Sequence, residues 1–190
     1  MRRIILLLSA IAIMSIAASG TAMADVITGT ENPDALTGTE TADSITGLGA
    51  DDFLLGEPTR FGPGGDDFVS GGPGDDKAFS GVGDDFVSGG PGGDDIAGTV
   101  GRDAVYGDDG DDKVSGGYPF DTLADAIFGG PGDDIVDSYN TKPVVGDIVD
   151  CGTGNDLAYV DELDSVSNNC EAVLIGPEPD PDDLQNLTAP

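Results

Sequence analysis

The sequence predicts an all-β solenoid. Aspartates recur at Asp67, Asp76, Asp85, Asp94, Asp103 and Asp112, nine residues apart each time, and a small or branched aliphatic residue stands two positions after each one. Glycine is abundant, at 31 of 190 residues, and clusters just before these aspartates. In each period a six-residue Gly- and Asp-rich run favours a turn with positive backbone angles, and the remaining residues, such as Phe86-Val87-Ser88, make a strand one side chain deep. A strand that short cannot stand alone. Stacked on copies of itself, it finds backbone partners above and below, and its single inward aliphatic joins a narrow core. Two periods complete one coil, with a sheet on either side and turns along both edges, so that repeats two apart lie directly over one another.

In chain order, the first segment is a leader. Arg2 and Arg3 precede an apolar run from Ile4 to Ala18, and Ala22-Met23-Ala24 places small residues where a signal peptidase reads them. Cleavage is expected before Asp25, with the mature chain secreted. The run is short for the ~20 residues that span a bilayer, so no membrane association is expected after cleavage. Residues 25–61 read as degenerate repeats ending in an insertion: Asp34, Asp43 and Asp52 keep the period, with Leu36, Ile45 and Leu54 two positions on, but Thr-Gly-Thr and Asn-Pro-Asp thin out the glycine. These turns are expected to form and to bind metal less well. Residues 62–159 carry the main repeats. The frame is shifted by an insertion at Glu57 to Phe61, slips by four through Tyr118 to Phe120, and slips by four again through Asn140 to Val145. The core position survives each slip, as Ile127, Val136, Val149 and Ala158, and thirteen repeats can be counted.

Charge narrows the chemistry. The chain has 37 acidic and 7 basic residues, a net charge of −30, and loss of Arg2 and Arg3 with the leader makes it −32. Nucleic acid and anionic lipid would be repelled. Such a charge implies either disorder or a counter-ion that belongs to the structure, and disordered acidic segments have no need of a regular aliphatic position. Stacking places Asp76 over Asp94, Asp67 over Asp85, Asp85 over Asp103 and Asp94 over Asp112, about 4.8 Å apart per strand. Two bare carboxylates ~5 Å apart repel by about 3 kcal/mol at an effective dielectric near 20. A column of them requires neutralisation. Calcium binds oxygen at about 2.3–2.6 Å and so spans the stacking distance, with turn carbonyls completing a shell of six or more oxygens. Magnesium needs a tighter octahedron. Zinc would find no His and only two Cys.

The segments Gly71-Gly72-Pro73-Gly74-Asp75-Asp76-Lys77-Ala78, Gly89-Gly90-Pro91-Gly92-Gly93-Asp94-Asp95-Ile96 and Gly129-Gly130-Pro131-Gly132-Asp133-Asp134-Ile135-Val136 resemble the G-G-x-G-x-D-x-U-x nonapeptide of the haemolysin-type, or RTX, calcium-binding family. The resemblance implies a right-handed parallel β-roll with two nonapeptides per coil. It implies calcium held by the sixth-position carboxylates of Asp67, Asp76, Asp85, Asp94, Asp103, Asp112, Asp125 and Asp134, and by turn carbonyls around Gly72, Gly74, Gly90, Gly92, Gly130 and Gly132. Two departures stand out: Ala78 is a small core residue, and Ser80 replaces the first glycine before Gly83-Asp84-Asp85. Members exported by type I machinery usually carry an uncleaved C-terminal signal, whereas here the leader is N-terminal.

Residues 160–176 read as a cap. Cys151 and Cys170 are the only cysteines, and in a secreted chain they are expected to pair. Closing a loop of that length is worth about 3 kcal/mol. Val173, Leu174 and Ile175 are expected as a final strand covering the open end of the roll. From Pro177 to Pro190 the acidic, Pro-rich composition suggests a disordered tail.

Other site chemistries fit poorly. The glycine turns lack the Gly-Lys-Ser or Gly-Lys-Thr of a phosphate cradle. Asp108-Asp109-Gly110-Asp111-Asp112 has no Glu at the twelfth position of an EF-hand loop. Paired carboxylates recur at every turn, so none is singled out as a glycosidase acid and base. Phe68 and Phe86, eighteen apart, should stack on one outer face. The reading is a secreted, non-enzymatic calcium-binding repeat protein whose protein or glycan partner is unknown. Alternatives on the same roll are an adhesin, for which the outward Thr28, Thr37 and Thr46 do not continue, and an accessory partner of a secreted enzyme.

Overall fold

The computed structural model describes residues 24–59, 62–117, 121–140 and 145–176. The expected leader and its cleavage, and the acidic tail from 177, lie outside those residues. The sixteen strands among the described residues are β1 (Val26–Thr28), β2 (Ala35–Thr37), β3 (Ser44–Thr46), β4 (Phe53–Leu55), β5 (Phe68–Ser70), β6 (Lys77–Val82), β7 (Phe86–Ser88) and β8 (Asp95–Val100). They continue with β9 (Ala104–Tyr106), β10 (Lys113–Gly117), β11 (Ala126–Pro131), β12 (Ile135–Asp137), β13 (Ile148–Thr153), β14 (Leu157–Val160), β15 (Ser165–Val166) and β16 (Ala172–Ile175). Odd strands form one eight-stranded sheet and even strands the other, each in sequence order with parallel pairing between neighbours. The chain is a β-solenoid of eight coils.

Register confirms the stacking argument. Val69 pairs with Val87, Val87 with Val105, Leu54 with Ala78 and Ala78 with Ile96. Successive inward residues therefore form two facing columns. From Leu36 to Ala158 these positions are almost wholly buried, and Ala78 is as fully enclosed as its branched neighbours. The core is one residue wide. Its flanking residues point outward, as the alternation of a strand requires, and the burial pattern of β5 and β7 repeats exposed, buried, half-buried.

The two edges of the roll differ. Turns leading from odd to even strands end at Asp34, Asp52, Asp76, Asp94, Asp112, Asp134 and Asp156, and the inward residues on either side of each stay nine positions apart throughout. We call this the regular edge. Turns leading from even to odd strands end at Asp43, Asp67, Asp85, Asp103, Asp125 and Asp147, and all three frame slips fall among them. This is the interrupted edge. The nonapeptide period alternates between edges, so an insertion in an even-to-odd turn leaves the opposite edge undisturbed. Between Ser80 and Asp103 the interrupted edge is further tightened, because β6 and β8 continue round the corner and pair there as Gly81 with Thr99 and Val82 with Val100.

The disulfide forms as expected, with Cys151 and Cys170 at a Cα separation of 5.2 Å. Cys151 is buried in the core and Cys170 packs against it. The expectation for the last strand needs correction. β16 does not cross the end of the roll; it lies parallel to β14 at the margin of the even sheet, with all four residues exposed. Val160, Val166 and Cys170 instead close the apolar column at this end.

Because each coil contributes only two inward side chains, a cavity cannot be refilled by neighbours from a second layer. Ile96→Ala is expected to cost about 2–4 kcal/mol in the denaturant midpoint measured in calcium. A cost near zero would show that the column is not continuous at that coil.

Candidate metal centre

On the regular edge, the residue at the second and fourth turn positions must adopt a backbone that L side chains resist. Gly72, Gly74, Gly90, Gly92, Gly130 and Gly132 all have positive φ, between 106° and 151°. The same geometry is imposed on Leu48 and Ala50 in an earlier, glycine-poor turn, at φ 89° and 74°, so stacking overrides local preference there. Turns are sewn together by main-chain bonds: the Gly72 N–H donates to the Gly89 carbonyl at 2.9 Å, Gly74 to Pro91 at 3.0 Å and Gly92 to Asp109 at 2.8 Å. Each glycine lies directly against the carbonyl of its counterpart in the neighbouring coil. A Cβ would collide with backbone, which is the physical reason for the motif.

The sixth-position carboxylates form two continuous ladders. On the regular edge the Asp52, Asp76, Asp94 and Asp112 N–H groups donate to Oδ1 of Asp76, Asp94, Asp112 and Asp134, at 2.7–2.9 Å. On the interrupted edge Asp43, Asp67, Asp85 and Asp103 do the same to Asp67, Asp85, Asp103 and Asp125, at 2.7–3.0 Å. One oxygen of each carboxylate is thereby satisfied. The other is not: Oδ2 of Asp52, Asp67, Asp76, Asp85, Asp94, Asp103, Asp112, Asp134 and Asp156 is buried with no hydrogen-bond partner. In the best-formed turns it lies against the first glycine, beside the carbonyl stack. Asp125 occupies the same rung, with Oδ2 2.6 Å from where a Cβ on Gly116 would stand.

Burial is the chief influence on these acids, and it raises their pKa. Asp76, Asp85, Asp112 and Asp134 are pushed up to about 6, Asp67 and Asp94 to about 7, Asp125 to about 8 and Asp103 to about 9. The N–H bond from the adjacent coil opposes the shift, while the charges of stacked neighbours add to it. An ionised oxygen cannot stay buried and unpartnered. It must take a proton or a cation. Among the described residues no three His, Cys, Asp or Glu side chains are grouped to hold a metal, so an ion would draw its remaining ligands from turn carbonyls. That oxygen-only donor set fits calcium.

At the first turn of each edge, and at Asp147 near the other end of the roll, the same oxygen is filled by protein. Asp34 Oδ2 accepts from the Thr30 N–H at 2.5 Å and from Thr30 Oγ1 at 2.9 Å, and Asp43 Oδ2 accepts from Thr39 at the same distances. Asp147 Oδ2 accepts from the Asn140 side-chain amide at 3.1 Å. The ladders end at Glu171, which accepts from the Asp156 N–H, and at Asp164, which accepts from Asp147. Thr30 and Thr39 were legible as departures from glycine, though their role as donors depends on where the second turn position points.

The acid that precedes several of the sixth-position aspartates has a bonding role of its own. Fifth-position acids form an exposed ladder of opposite sense, in which Asp75, Asp84 and Asp133 donate N–H to Asp51, Asp66 and Asp111 of the preceding coil at 2.9–3.1 Å. Two exposed ion pairs, Lys77 with Asp95 and Arg102 with Asp84, offset little of the charge.

On the outer face of the odd sheet, Phe68 and Phe86 stack as expected, with centroids 5.1 Å apart and planes 4° apart. The stack continues through Tyr106 to Phe128 at 5.1 and 4.6 Å. Tyr106 and Phe128 sit at the third strand position rather than the first, so period counting missed them. With ring faces turned toward one another, the row is a stabilising ladder. A cavity of about 260 Å³ lies between Phe53, Phe79 and the first insertion. Its acid, Glu57, accepts N–H bonds from Val82 at 3.0 Å and Gly65 at 3.3 Å.

Comparison with known proteins agrees with this geometry. The RTX calcium-binding nonapeptide repeat matches in four copies, over residues 28–58, 61–96, 88–117 and 124–139. No curated protein and no solved structure matches the chain. Stacked glycine turns, a one-residue core and paired columns of buried acids are what that repeat encodes, and the chain belongs to the RTX calcium-binding repeat family.

Proposed function

We propose that this is a secreted, non-catalytic calcium-binding protein whose roll folds when it meets calcium outside the cell. The row of buried, partnerless Oδ2 atoms carries the reading. Asp67, Asp76, Asp85, Asp94, Asp103, Asp112, Asp125 and Asp134 serve as side-chain ligands, with carbonyls of the turns around Gly72, Gly74, Gly90, Gly92, Gly130 and Gly132. Asp52 and Asp156 join them, having the same orphaned oxygen. The Thr-filled turns at Asp34 and Asp43 take no ion. The expected leader and the disulfide both suit an oxidising, extracellular compartment. Residues 25–61 then act as a largely metal-independent start, 62–159 as the calcium-loaded body and 160–176 as the terminating segment. Acids recur in every coil and form no isolated acid–base pair, which supports a structural rather than catalytic role.

Calcium supplies the positive charge that the chain's own side chains do not. The turns position the oxygens and the glycines admit the carbonyls. Burial excludes water that would otherwise solvate the carboxylates. Folding and binding are then one equilibrium.

Circular dichroism of the chain from Asp25 should show little structure in chelator and a β spectrum in about 10 mM calcium. An unchanged spectrum would sink the coupling. Asp94→Asn should weaken two stacked sites, since Asp94 lies between Asp76 and Asp112 in the ladder; calcium stoichiometry by equilibrium dialysis is the check. Acid gives a second test. These carboxyls have folded pKa values above the unfolded 3.8, so protonation favours the fold. In chelator, stability should be greatest near pH 4 and fall as pH rises through about 6 to 9. In calcium the trend is opposed, because protons compete for the same oxygens. A chelated chain that gains structure as pH rises would contradict this account.

A further inference from the structure

Asp121 belongs to none of the nonapeptides. It lies in the second frame slip, on the interrupted edge, four residues before the sixth-position Asp125. Loop acids usually face water, yet Asp121 is only 2% exposed. Its Oδ1 accepts from the Thr122 N–H at 2.7 Å and from Leu123 at 3.4 Å. This fixes the carboxylate and leaves Oδ2 buried with no partner. Gly117 shows what Oδ2 faces. A Cβ built there would stand 2.7 Å from the Thr99 carbonyl and 3.4 Å from Asp121 Oδ2, so glycine keeps open a space walled by a carbonyl and a carboxylate. The neighbouring ladder acid Asp103 also has a buried, partnerless Oδ2.

We infer that Asp121 is a ligand of an additional calcium site on the interrupted edge, between the coils of Asp103 and Asp125, with the Thr99 carbonyl among its donors. In the preceding turn of this edge, which has no insertion, the fourth-position Gly83 N–H donates to the Val100 carbonyl of the next coil. At the insertion, burial chiefly raises the pKa of the Asp121 carboxyl, and nearby main-chain N–H groups, that of the equivalent Gly101 among them, oppose the shift. The inserted acid thus brings a charged oxygen to a place where the repeat supplies a neutral one. A buried carboxylate added beside Asp103 needs a proton or a cation to neutralise it, and the space toward the Thr99 carbonyl offers a cation an oxygen-lined place. The Glu57 insertion is different in kind, because both Glu57 oxygens receive main-chain N–H bonds.

The inference rests on the calcium reading of the roll, and the test separates the two. Native mass spectrometry of the chain from Asp25, titrated with calcium alone, counts bound ions for the unsubstituted chain, Asp121→Asn and Asp94→Asn. Asp121→Asn should bind one ion fewer while its circular dichroism in saturating calcium is unchanged, since the amide oxygen still accepts from Thr122. An unaltered count and titration overturn the site; the calcium reading then stands if Asp94→Asn loses ions, and fails with it if Asp94→Asn also loses none. Should Asp121→Asn fail to fold, Asp121→Glu decides the matter. Weakening of a single binding step supports the site, and a titration identical to the unsubstituted chain overturns it.

Discussion

Everything in this structure depends on one electrostatic constraint: carboxylates are stacked coil upon coil inside a protein that lacks the cations to balance them. Each sixth-position Asp gives one oxygen to the N–H of the preceding coil, and in the body of the roll the other is left buried and unpaired. The backbone bond explains why the acid points inward at all. Without it, Oδ2 would turn to water. With it, the carboxylate is held where only a proton or an oxygen-seeking ion can neutralise it.

The ends of the roll show the same constraint met by other means. Thr30 and Thr39 donate both N–H and hydroxyl to the oxygen that stands free elsewhere, and Asn140 offers an amide to Asp147. These residues neutralise nothing, but they solvate the carboxylate as water would. The result is an uneven supply of partners along one continuous β-solenoid: the carboxylate oxygen is satisfied by protein at the first turns and left unpaired through the middle. The aromatic ladder from Phe68 to Phe128 reinforces the middle independently of charge, and the disulfide ties down the last coils.

The two edges divide their work. On the regular edge the nine-residue spacing is kept as far as Asp156, so no insertion separates its stacked turns. The interrupted edge absorbs every insertion and reuses some of them, as the buried acids Glu57 and Asp121 show. An alternating period permits this, because an extra loop on one edge is invisible to the other.

The sequence alone determined the period, the parallel stack, the core column and the disulfide partners, because each follows from residue type at fixed spacing. Asp76 over Asp94 and Phe68 beside Phe86 needed only the count of eighteen. It could not say which oxygen of each Asp is left over, since that depends on the N–H of a residue one coil away. Nor could it show that Tyr106 and Phe128 extend the ring stack by a diagonal step. That Asp121 turns inward while β16 lies exposed at the sheet margin was likewise hidden. Those outcomes belong to tertiary structure, because they are decided by contacts between coils, where local spacing no longer carries the information.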